Sequence, residues 1–367
     1  MRDRLEVLPV NGIGDIRPGA DLAAEIAAAA PWLRDGDVLV VTSKIVSKAE
    51  GRLVEVPLAG PEREAVREAV LQAETARPVA RRGSTRIVQT HHGYVMASAG
   101  IDASNVDRSR LVLLPKDPDA SARALRQALR DRFGRDVAVV ISDTMGRPWR
   151  TGLTDVALGA AGLEPVRDHR GEVDAYGNEL HITQMAVVDE LSGAAELVKG
   201  KSDQVPVAVV RGYLTGPIAG DGPGAVTLVR DAAQDLFSLG TAEARVAGLR
   251  TAAALTDPAA FAAAEVGRAV VEQAVSVVAP PAGCTFAVTV PDAAIPNLPM
   301  GTTHVVVADG AGSPLRLGAA VHRVRCALAA VGLASAWLEP SSADPPTRVR
   351  LAVGRPVDNH GEDTPGR

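Results

Sequence analysis

The chain alternates between short, wholly apolar runs and longer segments in which apolar residues return every three or four positions, the signatures of buried strands and amphipathic helices. Val38-Leu39-Val40-Val41, entered through the turn Asp35-Gly36-Asp37, is continuous and mostly β-branched, as is the run from Val137 to Ile141. Both predict strands covered on two faces, and Val207-Ala208-Val209-Val210 predicts a third. Helical spacing fills the intervals. Asp21 predicts an N-cap for a helix whose apolar face is Leu22, Ala23, Ile26 and Ala30 before Pro31 ends it. Glu62 to Ala76 reads as helical, and Asp117-Pro118-Asp119 opens a helix through Leu125, Leu129 and Phe133 that Gly134 closes. From Thr183 to Val198 the positions Met185, Val188, Leu191, Ala195 and Val198 keep helical spacing. Arg86 to Gln89 and Tyr94 to Ala97 flank His91-His92-Gly93 as a hairpin. Strands alternating with helices predict an α+β (mixed α/β) fold.

The pattern changes beyond about residue 245. Alanine dominates from Ala247 to Ala274, charges thin out, and Pro280-Pro281 breaks the chain's regular spacing soon after. This predicts a domain over 1–245, a second over 246–355 and a disordered tail over 356–367, where Val357 is the one apolar residue. Between Thr215 and Ala225, Gly216-Pro217 and Gly220-Asp221-Gly222-Pro223 predict a mobile loop. No internal repeat is evident.

Composition narrows the partners. With only 3 Trp, 3 Tyr and 4 Phe in 367 residues the core must be built from Ala, Val and Leu. A net charge of −5 excludes a basic nucleic-acid-binding chain. No uncharged apolar stretch approaches the roughly 18 residues of a membrane helix, and no apolar run comes after Arg2 and Arg4, so neither membrane nor signal peptide is expected. Two cysteines, Cys284 and Cys326, allow one bridge at most, which fits a reducing cytoplasm.

The common phosphate-binding templates fail. Gly200-Lys201-Ser202 resembles the end of a Walker A loop, but its first glycine would fall at Ala195, inside a helix. No Gly-x-Gly-x-x-Gly follows a strand, no Gly-x-Ser-x-Gly is present, and neither cysteine has a spacing suited to zinc. Acids beyond apolar strands remain as candidates. Asp143 follows Val137 to Ile141, where with the Thr144 hydroxyl it can offer oxygen to Mg²⁺ or Mn²⁺. An Asx-turn or helix N-cap uses the same Asp. Asp102 in Gly100-Ile101-Asp102-Ala103-Ser104-Asn105 is a second strand-end acid. Arg147 and Arg150 offer a fork for phosphate or carboxylate. Ser43 and Lys48 pair a hydroxyl leaving a buried strand with a lysine five residues on, a phosphate cradle or equally a capped helix with an exposed lysine. Gly12-Ile13-Gly14-Asp15 is a plain turn on its residues alone.

Taken together and in order, several segments resemble the coenzyme F420:L-glutamate ligases, most closely the amino-terminal half of the two-domain actinobacterial form. They are Val38 to Lys44 with Ser47 to Arg52, Ala99 to Val106, Ser142 to Arg147 with Trp149-Arg150, Tyr176 to Leu180, Asp189-Glu190 through Lys199-Gly200-Lys201, and Val207 to Gly212. The resemblance implies GTP-dependent amide synthesis: GTP phosphorylates the terminal carboxylate of the 5-deazaflavin precursor coenzyme F420-0, and L-glutamate displaces phosphate to leave a γ-linked tail. It further implies Asp102, Asp143 and Thr144 as metal ligands, with Mg²⁺ or Mn²⁺ as the ion and K⁺ as an additional candidate. Ser43, Lys44, Lys48 and Asn105 are the implied GTP contacts, joined by Ile13, Gly14, Asp15 and Ile16 as the amino-terminal nucleotide loop and by Gly200 and Lys201. Asp102, Asp143 and Arg147 form the expected catalytic set, Arg147 on electrostatic grounds. Where the family commonly carries Pro, this chain has Gly14, which exchanges a rigid position for a flexible one.

Beyond residue 245, Leu317 to Leu333 with Trp337-Leu338, and Val349 to Pro356, resemble the middle and last elements of an FMN-dependent nitroreductase. An arginine-rich phosphate-holding opening is not found between Thr241 and Ala260, and the region is short for that fold. A shortened, flavin-free domain serving as a homodimer surface is therefore expected. Two other readings compete: an FMN-dependent oxidoreductase acting through the carboxyl-terminal part, and a non-catalytic deazaflavin-binding protein.

Overall fold

The computed structural model describes residues 4–103, 107–200, 203–231, 234–278, 280, 282–292, 295–310, 314–338 and 347–357. Asn105, Lys201 and the expected tail beyond 357 lie outside the described residues. The fold is mixed α+β with several sheets, and the chain divides into two compact units, Met1–Gly240 and Thr241–Arg367.

The first unit runs β1 (Glu6–Pro9), α1 (Leu22–Ala29), β2 (Val38–Thr42), α2 (Ser43–Ala49), β3 (Leu53–Glu55), α3 (Pro61–Ala73), β4 (Thr75–Arg82), β5 (Thr85–Thr90) and β6 (Val95–Ala97). It continues through β7 (Arg110–Val112), α4 (Pro118–Phe133), β8 (Ala138–Gly146), β9 (Leu153–Ala161), β10 (Val166–Asp168), β11 (Gln184–Ala186), α5 (Val187–Lys199) and β12 (Val207–Arg211). Its main sheet has the order β1-β12-β2-β8-β9. At its centre β2 and β8 are parallel, with Thr42 beside Ser142, so both strands deliver their carboxyl ends to one edge. The apolar runs make this the most protected part: Val38, Leu39, Val40 and Val41 are wholly buried. Leu39, Val41, Val139 and Ile141 face Ile26 of α1 and Leu125 and Leu129 of α4. Val38, Val40 and Val140 face Val188, Leu191 and Ala195 of α5. Helices on both faces are what continuous apolar strands require.

The expected caps are in place. Asp21 accepts from the Ala24 amide and Asp117 from the Ala120 amide, and Gly134 ends α4 in the left-handed region. Arg86 to Gln89 and Tyr94 to Ala97 form the expected antiparallel pair.

Three expectations are corrected. The helix predicted from Glu62 to Ala76 stops at Ala73, because Glu74 is tied by two 3.0 Å bonds to the Arg52 guanidinium and Thr75 starts a strand. Thr183 to Val198 is not one helix: Gln184–Ala186 pairs with Val166–Asp168 instead, and Met185 is outside the buried face that the spacing assigned to it. Finally, Asp143 and Thr144 lie within β8 rather than beyond it, since β9 pairs with the strand as far as Gly146. The loop from Thr215 to Ala225 is held at several points: Asp221 accepts from Arg126 (2.9 Å), and the Ala225 amide donates to Asp119 (2.7 Å).

The second unit contains α6 (Thr241–Ala253), α7 (Arg268–Ser276), β13 (Cys284–Thr289), β14 (His304–Gly310), α8 (Pro314–Ala330), β15 (Ala334–Leu338) and β16 (Arg348–Gly354). Its antiparallel sheet has the order β13-β14-β16-β15. Val306, Leu351 and Val353 pack on Val271 of α7 and Val321, Val324 and Leu328 of α8, while Phe261 packs on the opposite face against Val305 and Ala352. Cys284 and Cys326 are free thiols. Among the described residues no helix is long and apolar enough to cross a membrane.

Candidate active site

A cleft of about 990 Å³ opens where β2 and β8 end. Its walls come from elements far apart in sequence: the loop from Ile13 to Pro18, Lys44 and Lys48 on α2, Thr144 on β8, Asp155 on β9, and Lys199 with Gly200 at the end of α5. Open strand ends of this kind are where parallel sheets present ligand sites.

Lysines here are matched with acids. Lys48 Nζ lies 2.9 Å from Asp15 Oδ1, and that hydrogen bond holds the Asp15 carboxyl below its ordinary value. Lys44 Nζ lies 2.6 Å from Asp102 Oδ2. Asp102 itself is fixed by the backbone, donating to Val112 O (3.0 Å) and accepting from Val112 N (2.8 Å). The chain reaches it through a tight turn in which Ser98, Ala99 and Gly100 all have positive φ. Two of these are not glycine, a conformation that costs energy and persists only where the surroundings enforce it. At Gly100 a side chain is excluded as well, because a Cβ would come within 2.8 Å of Leu114 Cδ2.

Lys44 also borders a second, much smaller cavity that it shares with Ser43, Ser47, Asp102 and Asp143. The two acids thus face one space, although they come from a turn and a strand forty residues apart. Burial pushes the Asp143 carboxyl up to about 6; the Thr144 amide opposes this, Asp155 and Asp102 reinforce it, and Lys44 lowers it. Ser47 Oγ is buried there with no hydrogen-bond partner. A raised carboxyl, a second carboxylate and an unsatisfied hydroxyl together form an oxygen-rich pocket in which Lys44 is paired with Asp102. Such a donor set fits Mg²⁺ or Mn²⁺, which take one or two carboxylates and fill their remaining positions with water and phosphate oxygens. Among the described residues no group of three or more His, Cys, Asp or Glu side chains comes together as an all-protein metal cage.

The far wall holds a buried network that sequence reasoning missed. Asp155 and Lys199 are 3% and 2% exposed, and Lys199 Nζ lies 2.7 Å from Asp155 Oδ2. Asp155 accepts from Ser142 Oγ (2.8 Å) and from Thr144 Oγ1 (2.9 Å), and Lys199 also donates to Ser142 Oγ (2.9 Å). A β-bulge creates this arrangement. Ile141 pairs with Gly159, but Ser142 pairs with Ala157, so Leu158 is an extra residue on β9. Without it Asp155 would stand opposite Met145 and point to the other face; with it Asp155 stands opposite Thr144. The Leu158 carbonyl accepts from the Tyr94 hydroxyl at 2.5 Å. A lone charge in the otherwise uncharged run Leu153 to Ala161 was the available signal for Asp155.

Of the residues that the sequence points to, Ile13, Gly14, Asp15, Ile16, Lys44, Lys48, Thr144 and Gly200 line the cleft. Ser43, Asp102 and Asp143 line the adjoining cavity. Arg147 and Arg150 line neither, and Arg150 is exposed. Asn105 and Lys201 lie outside the described residues.

The family model described as F420-0:Gamma-glutamyl ligase matches residues 12–212. The coenzyme F420:L-glutamate ligase of Methanothermobacter thermautotrophicus is 41% identical over 251 residues, covering 64% of this chain and 98% of that protein. The protein of the same name from Methanopyrus kandleri is 40% identical over 250 residues, covering 64% and 97%. Among solved structures, a putative NADH dehydrogenase/NAD(P)H nitroreductase from Bacteroides thetaiotaomicron shares 16% identity at a TM-score of 0.26, over 33% of this chain and 91% of that one.

Proposed function

Because this chain belongs to the F420-0:gamma-glutamyl ligase family, we propose that it is the ligase that joins L-glutamate to coenzyme F420-0 through a γ-linked amide, driven by GTP and a divalent cation. The observation that carries this reading is the junction at Lys44, which borders both a cleft roomy enough for a nucleotide and a cavity holding two carboxylates.

The proposed chemistry has two steps. The terminal carboxylate of the deazaflavin precursor attacks the γ-phosphorus of GTP, GDP leaves, and an acyl phosphate forms. The amino group of L-glutamate then attacks the acyl carbon, loses a proton and expels inorganic phosphate, leaving the amide. Phosphoryl transfer asks little covalent work of the protein and much charge neutralisation and alignment. Lys48 and Lys44 supply positive charge to the phosphate oxygens, and the loop from Ile13 to Ile16 closes the cleft over the nucleotide. Asp102, Asp143 and Thr144 hold Mg²⁺ or Mn²⁺, which when bound neutralises phosphate charge and lets two anionic substrates approach. A homodimer is the proposed assembly.

Full-length protein given GTP, L-glutamate, F420-0 and Mn²⁺ should release GDP and phosphate in equal amounts, with a deazaflavin product heavier by whole glutamyl residues. GTP consumption that ignores glutamate, or a deazaflavin of unchanged mass, would sink the proposal.

A further inference from the structure

The Asp155–Lys199 pair has no part in either step of the proposed reaction, yet it lines the cleft. A buried ion pair is a poor way to gain stability, since apolar residues of similar size generally serve as well. Its hydrogen bonds point to another use. The Thr144 hydroxyl has one proton and donates it to Asp155 Oδ1, so its lone pairs are turned away from Asp155 while Thr144 borders the cleft. That is the orientation an oxygen needs in order to meet a cation. The second carboxylate oxygen is engaged by Ser142 and Lys199, and Lys199, which also lies 3.5 Å from Glu196 Oε2, stays closest to Asp155.

Resting on the proposed role of Thr144 as a metal ligand, we propose that Asp155 and Lys199 are positioning residues. Asp155 fixes the Thr144 hydroxyl with its lone pairs toward the divalent cation that accompanies the nucleotide, and Lys199 neutralises Asp155 so that it does not capture that cation itself. The bulge at Leu158 is the backbone device that makes this possible, because it turns Asp155 onto the face that carries Ser142 and Thr144.

The test uses the full chain and reads free Mn²⁺ by electron paramagnetic resonance, with and without GTP. Thr144→Val should weaken Mn²⁺ binding in the presence of GTP by about tenfold, the loss of one charge-independent ligand oxygen. The paired change Asp155→Leu with Lys199→Met leaves no buried charge unmatched and should weaken binding to the same degree. Adding Thr144→Val to that pair should then cost less than a further twofold, because the hydroxyl has already lost its orientation. Asp155→Asn with Lys199→Gln keeps an acceptor for Thr144 and should restore binding to within about threefold of the unaltered protein. Lys199→Met alone frees Asp155 and also releases Glu196 from its 3.5 Å contact; without GTP it should bind Mn²⁺ about tenfold more tightly, a gain that the paired change, which releases Glu196 but lacks Asp155, should not show.

Independent, multiplying losses from Thr144→Val and the paired change would overturn the positioning role, as would a Lys199→Met protein with unchanged or weakened Mn²⁺ binding. If Thr144→Val alone leaves Mn²⁺ binding intact, the metal reading of Thr144 fails, and the positioning proposal falls with it for that separate reason.

Discussion

Asp143→Asn should make the metal-free protein more stable while removing its activity. In the fold the Asp143 carboxyl is raised from 3.8 to about 6, first by burial and then by Asp155 and Asp102. The unfolded chain therefore ionises this group first, and stability present below about pH 4 is lost as pH rises through 6. A rise of roughly two pH units at about 1.36 kcal/mol each sets the cost of ionised Asp143 near 3 kcal/mol at pH 7. Asparagine removes the charge but keeps an oxygen for the Thr144 amide, which Asp143 Oδ1 accepts at 2.9 Å. The variant should unfold roughly 3–10 °C higher in EDTA at pH 7, and its advantage should be about 1 kcal/mol smaller at pH 5. Saturating Mn²⁺ with GTP should narrow or reverse the order, because only the chain that keeps the carboxylate gains binding energy. Thermal and urea unfolding at the two pH values, with and without Mn²⁺, measure all of this. A variant no more stable than the unaltered protein at pH 7, or an advantage that ignores pH, would refute the placement of Asp143 as a half-buried, charge-strained acid.

Four further outcomes can be checked. Lys48→Ala should weaken GTP binding in calorimetry by about 1.5–3 kcal/mol through loss of a charge-assisted contact, with little effect on stability, since its partner Asp15 is largely exposed. Lys44→Met should raise Mn²⁺ affinity in the absence of GTP, because Asp102 loses its internal cation, and should lower GTP affinity; equal affinities would place Lys44 outside the exchange. Asp119→Ala should cost about 3 kcal/mol in urea unfolding, because its carboxylate accepts from the amides of Ala160, Ala225 and Val226 and would leave them unsatisfied; a loss under about 1 kcal/mol would contradict this. Residues 1–240 produced alone should retain glutamate-dependent GTP turnover, as expected if the second unit is a shortened, FMN-free domain; turnover abolished in a folded fragment would contradict that assignment.

Sequence reasoning reached the parts of this fold that local physics decides. The runs at Val38 and Val137 announce strands buried on both faces because nothing else accommodates so many consecutive β-branched residues, and they are the two parallel strands whose ends frame the cleft. Caps are equally local: Asp21, Asp117 with Pro118, and Gly134 act within a few residues of themselves. Register is different, because it is settled between segments. No pattern in Leu153 to Ala161 states that one residue will be left out of the ladder, so the pairing of Thr144 with Asp155 was invisible, and so was the extension of β8 past Asp143. Strand β4 was missed for a related reason. Arg77, Pro78, Arg81 and Arg82 give it the composition of a loop, yet it pairs with β5 through two register shifts and lies at the sheet's edge, where proline and charge are tolerated.

The charges of the cleft explain why a net-negative protein can hold this site together without its ligands. Lys44 rests on Asp102 and Lys48 on Asp15, so two acids and two lysines neutralise one another. In the proposed reaction nucleotide phosphates would compete for the lysines and a divalent cation for Asp102. Each ligand therefore weakens the hold that opposes the other. Linkage makes the benefit reciprocal: the factor by which GTP strengthens Mn²⁺ binding is the factor by which Mn²⁺ strengthens GTP binding. Asp155 and Lys199 stand apart from this exchange because they are buried to a few per cent, and a pair so deeply desolvated does not part for a passing ion. The site thus combines two partnerships built to break with one built to last, and the lasting one is that which orients Thr144.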